Sequence, residues 1–179
     1  MLLIVSRTII IQEVVLLMNR AKAMAAMQQM LDKSFKYLFS PAKTQINEMH
    51  LIFKMDSRKY ELQSSILFEE NWVDILTFIS PTAVNVGSKE YMEVLKTVNF
   101  INWESKSPTG RMYLDDAGDI AYSLRFTYDW LEKYPEIVIH EYETAIQYYE
   151  DLFTLLIEVA EGKKNYDEAR SFIEMMWNL

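Results

Sequence analysis

Met112 to Phe126, reading MYLDDAGDIAYSLRF, is the stretch that most restricts what this chain can fold into. Two alternating runs, Met112-Tyr113-Leu114 and Ile120 to Phe126, flank Asp115-Asp116-Ala117-Gly118-Asp119. A tight reversal needs a residue at positive φ, and Gly118 supplies it. The stretch is therefore a β-hairpin. A helical pattern precedes it and a much longer one follows, which predicts an antiparallel sheet with helices packed mainly on one face.

Upstream, Met49 to Met55, Tyr60 to Phe68 and Val73 to Ile79 read as three strands joined by the short polar links Asp56-Ser57-Arg58 and Glu69-Glu70-Asn71. In the middle run Tyr60, Leu62, Ser64 and Ile66 share one face and Glu61, Gln63, Ser65 and Leu67 the other, so one side is buried and one wet. Before this meander, Asn19 to about Leu38 is rich in strong helix formers, with Met24, Met27, Leu31, Phe35 and Leu38 on one stripe, and Ser40-Pro41 stops it. Those methionines are read as core contacts rather than as an adaptable groove.

Between meander and hairpin, Ser88 is the N-cap of a helix running from about Lys89 to Val98, with Ser105 to Gly110 as a loop. From Pro135 to about Glu161 the series Ile139, Tyr142, Ile146, Tyr149, Phe153, Leu156 and Ala160 keeps helical spacing, ended by Gly162, and Tyr166 to Trp177 is a short final helix. The expected fold is thus α+β, in the order α-β-β-β-α-β-β-α plus the C-terminal helix, with about five strands. Residues 19–179 form a single domain. The apolar segment 1–18 is interrupted by Arg7 and Glu13 and lacks a small-residue cleavage site, so it suits neither a spanning helix nor a signal peptide. Two readings of it stay open: a segment packed on the domain, or residues translated upstream of a start at Met18.

Composition narrows function mainly by exclusion. The absence of cysteine removes thiolate zinc sites, disulfides and cysteine nucleophiles, and leaves the cytoplasm as the default compartment. A net charge of −8 with no basic run opposes nucleic acid and anionic membranes as partners. His140-Glu141-Tyr142-Glu143-Thr144 lacks the second histidine of a zinc-protease helix, and the Asp115 to Asp119 cluster lacks calcium-loop spacing. Four scattered glycines make no phosphate-cradling loop, and neither His50 nor His140 has a signature serine partner. Neither metal nor organic cofactor is expected. With 4 Trp, 11 Tyr and 9 Phe, the chain is unusually aromatic. Tyr113, Tyr122, Trp130, Tyr142 and Tyr149 are the candidate partner-binding residues, since such side chains are favoured in protein contacts.

Leu95-Lys-Thr-Val-Asn-Phe-Ile-Asn102, Gly110-Arg-Met-Tyr-Leu-Asp115 and Gly118-Asp-Ile-Ala-Tyr-Ser-Leu-Arg125 carry a resemblance. Together with the element order from Asn19 to Glu161, they make the chain similar to the YbjN family of small bacterial proteins, whose domain looks like the type III secretion chaperone fold. The resemblance implies an α+β domain without a catalytic centre. The chaperone likeness implies a homodimer that holds peptide segments. The expected function is therefore non-catalytic binding of a protein or peptide in the bacterial cytoplasm, chaperone-like or regulatory. The alternative is an enzyme or small-molecule-binding protein with an aromatic-lined pocket.

Overall fold

The computed structural model describes residues 19–34, 47–55, 57–104 and 110–179, together with the backbone of 42–45. The segment 1–18 and its two readings, Phe35, Leu38, the Ser40-Pro41 stop and most of the loop after residue 104 lie outside the described residues. Helix α1 covers 19–34. The strands are β1 (Ala42–Gln45), β2 (Glu48–Phe53), β3 (Glu61–Phe68), β4 (Trp72–Ser80), β5 (Arg111–Leu114) and β6 (Ile120–Thr127). The remaining helices are α2 (Lys89–Glu104), α3 (Tyr128–Lys133), α4 (Pro135–Ala160) and α5 (Tyr166–Trp177).

The class is α+β, as the sequence predicts. The strands form one antiparallel sheet in the order β1-β2-β3-β4-β6-β5, in which the meander and the hairpin meet through the β4–β6 pairing. The short edge strand β1 joins the five expected strands, and its register against β2 shifts between Ala42 and Gln45.

Strict alternation in β2, β3 and β4 sends Leu51, Leu62, Ile66, Ile75 and Ile79 under the helices, each at most 1% exposed. Ser64 and Thr77 share that face and stand opposite each other in the β3–β4 register, their hydroxyls 2.6 Å apart. Helix α4 covers this face with Val138, Tyr142, Ala145, Tyr149, Leu152 and Leu156 among its buried residues. On α1 the inner stripe is Ala23, Met27, Met30 and Leu31, with Met24 partly buried against the same core.

Two boundaries differ from those predicted. Helix α2 continues to Glu104, so Phe100, Ile101 and Trp103 are helical, because Val94, Val98 and Ile101 keep one buried face through that stretch. Residues 128–133 form α3, which leads directly into Pro135 at the start of α4. The hairpin is as expected, with Gly118 at φ +90°. Asp115 holds its tip, accepting from the Ala117 and Asp119 backbone N–H at 2.9 and 2.8 Å.

Candidate binding groove

Among the described residues an open groove of about 470 Å³ lies between α1 on one side and α3 with the start of α4 on the other. Its apolar surface comes from Ala23, Ala26, Met30, Leu131, Pro135 and Ile139. Charged residues stand along both walls, Lys22 and Lys33 on α1 and Asp129, Glu132 and Glu136 opposite.

The β3–β4 turn fixes how far apart the walls stand at one end. Arg20 on α1 donates from Nε to the Glu69 carbonyl at 3.4 Å and from Nη1 to Asn47 Oδ1 at 3.3 Å. The Tyr128 hydroxyl donates to the same Glu69 carbonyl, and the Tyr128 backbone N–H to the Asn71 carbonyl at 3.2 Å. One turn thus anchors α1 and α3 together. Burial raises the pKa of Tyr128, opposed by its hydrogen bond from Arg20, so it stays a neutral donor well above neutral pH. Lys133 pairs with Asp129 at 2.9 Å along α3.

None of the five aromatic candidates lines this groove, and the fold does not bring them together. Tyr122, Tyr142 and Tyr149 are interior, at most 2% exposed. Tyr122 meets the Tyr148 ring edge-on at 6.2 Å, and Tyr142 meets Phe53 at 6.4 Å. Tyr149 donates its hydroxyl to the Ile120 carbonyl, and burial raises the pKa of both Tyr142 and Tyr149. Their helical spacing reflects packing on the sheet. Tyr113 and Trp130 are exposed, on different parts of the surface. Tyr113 lies on the open face of β5 opposite Ala121, its pKa raised first by burial and then by Asp115, Asp119 and Asp74. Trp130 stacks edge-on with Tyr134 at 6.0 Å, and with Ile137 these make an exposed apolar patch at the α3–α4 junction.

The groove on α1 shares Ala23 and Met30 with the inner stripe, so periodicity does not set it apart from the core. Asn19, Ala23, Ala26 and Met30 follow at i, i+4, i+7 and i+11, which places the groove along one edge of that stripe. The opposite wall depends on α3, which no periodic pattern announces.

Among the described residues no cluster of His, Asp and Glu is arranged to hold a metal ion, and no helix is long and apolar enough to cross a membrane. No family model matches the chain, and neither a curated protein nor a solved structure matches it.

Proposed function

We propose that this is a non-catalytic binding protein of the bacterial cytoplasm, chaperone-like or regulatory, that takes a segment of another polypeptide in the groove between α1 and α3–α4. The resemblance to YbjN proteins is part of this proposal. The observation that carries it is the groove itself, open to solvent, with apolar side chains in its lining and charges on both walls. Such a surface suits a chain with one apolar side better than a small polar substrate that must be enclosed.

A photoreactive amino acid at exposed Gln29, on the groove, tests the reading against the same group at exposed Asp167 on α5. Polypeptide adducts from position 29 that disappear when Ala26→Trp fills the groove are the expected result. Identical adducts from both positions, or none from position 29, would overturn it.

The small-molecule alternative has one observation in its favour, a volume within the range of ligand pockets, roughly 300–1,000 Å³. The expected aromatic lining is replaced by aliphatic side chains, with Tyr128 the one aromatic among the described lining residues. A homodimer belongs to the first reading. The open sheet face offers half-buried Ile52, Leu67, Leu76 and Phe78 for it, and light scattering across a concentration range distinguishes dimer from monomer.

A further inference from the structure

Both walls of the groove are helical. Backbone N–H and C=O groups in the middle of α1 are engaged in their own ladder, so that wall offers an incoming chain almost no main-chain partners, and the ends of α3 and α4 opposite leave only isolated terminal groups rather than a strand edge. An extended peptide lying there would have its own backbone groups desolvated and unpaired. A helix satisfies its backbone internally and escapes that cost. An extended peptide is better served by a sheet edge, and the β5 edge is occupied. The Asn102 side chain accepts from the Met112 N–H at 3.0 Å and donates to the Met112 carbonyl at 2.5 Å, filling the place of a neighbouring strand.

The walls also differ in sign. Lys22 and Lys33 are 11 positions apart (33 − 22), close to three full turns, and so lie on one edge of α1. Glu132 near the end of α3 and Glu136 at the start of α4 line the other wall. No ion pair joins the two walls among the described residues, and Lys22, Lys33 and Glu136 make no hydrogen bond or ion pair with another described residue. These exposed charges on the two walls are open to pairing with whatever lies between them. The small side chains of Ala23 and Ala26 on the α1 wall let a helix axis come close.

We infer that the groove takes one amphipathic α-helix of a partner protein. Its apolar stripe faces Ala26, Leu131 and Ile139, acidic residues on one flank meet Lys22 and Lys33, and basic residues on the other meet Glu132 and Glu136. This rests on the binding reading above and narrows it to one chemistry of partner.

Four designed peptides of about 18 residues, five turns, test it by fluorescence anisotropy against the full chain. Three share one leucine stripe and carry one acidic and one basic flank, two acidic flanks or two basic flanks. The fourth is the mixed-flank peptide with a central proline. The mixed-flank helix should bind about tenfold tighter than the other two, the sum of several exposed ion pairs, with the preference shrinking as salt rises. Lys22→Glu with Lys33→Glu should transfer the preference to the basic peptide, and Glu132→Lys with Glu136→Lys to the acidic one, both variants keeping the parent circular dichroism. Equal binding of the three helices, unchanged preference in the charge-reversed variants, undiminished binding of the proline peptide, or no binding by any peptide would each overturn the inference. Adducts from position 29 persisting in that event leave the broader reading standing. Their loss as well ends both.

Discussion

Replacing Gly118 by alanine separates two costs that the hairpin imposes on one residue. Its φ of +90° is unfavourable for an L side chain, worth about 1–2 kcal/mol. The added Cβ would also lie 2.2 Å from the Val84 carbonyl oxygen and 3.3 Å from Thr82 Cγ2. That oxygen is backbone and cannot swing aside. Val84 is 3% exposed, and the Thr82 hydroxyl is tied to Asp119 Oδ1 at 2.6 Å, so relief requires moving a packed loop, at about 1–3 kcal/mol. The sum is roughly 2–5 kcal/mol, a fall in Tm of about 4–20 °C for a chain of this size. Gly87 is the control, since its φ of +80° carries the same conformational strain with nothing within 4 Å of the added atom. Urea unfolding followed by circular dichroism should show a lowered midpoint with unchanged m for both variants, and Gly118→Ala should fall clearly below Gly87→Ala. Equal losses would refute the reasoning, because the Val84 contact would then cost nothing.

Three further outcomes are expected. Asn102→Leu strands both polar groups of Met112 and should cost about 2 kcal/mol or more, and light scattering should detect self-association through the freed β5 edge. Ser64→Ala alone should cost about 1–3 kcal/mol by removing the partner of the Thr77 hydroxyl beside Tyr142, whereas Ser64→Ala with Thr77→Val and Tyr142→Phe should recover much of that loss in chemical unfolding. Burial raises the folded-state pKa of Tyr142 and Tyr149 above the usual value near 10, so the neutral rings favour the fold fully below that pH, and stability declines as pH climbs beyond it. Absorbance at 295 nm should therefore show these two rings ionising only together with loss of the circular dichroism signal.

Period-2 and helical patterns were readable here wherever one face of an element is buried and the other is not. Leu62, Ser64 and Ile66 alternate with Gln63 and Ser65 because only one side of β3 is covered, and Tyr142, Ile146, Tyr149 and Phe153 recur because α4 lies along that side. Ser64 reads as a polar interruption until Thr77 is found across the β3–β4 register, which no local pattern can reveal. The groove was illegible for the same reason. It exists because Glu69 accepts from both Arg20 and Tyr128, residues 49 and 59 positions away, and neither donor differs locally from an ordinary surface side chain. Aromatic composition pointed to binding, yet three of the five candidates are inside, since a large ring satisfies a sheet-and-helix core as readily as an interface.

The sheet itself directs association away from its strand edges. At β5 the Asn102 amide already imitates a paired residue, and α2, which carries it, packs along the strand. At the opposite edge β1 is four residues long and irregular in register, a poor template for an incoming strand. The open face is no featureless apolar plane either. Arg125 clamps Asp74 through two hydrogen bonds of 2.6 and 2.9 Å and lies over the Trp72 ring at 5.1 Å, while the Trp72 indole N–H donates to the same carboxylate at 3.1 Å. A second sheet packed flat over that end would have to desolvate this cluster, which offsets part of the gain from covering Leu76 and Phe78. The groove instead combines apolar lining residues with charges on both walls that, among the described residues, form no ion pair across it. Of the surfaces described, it is the one where binding requires the least to be broken.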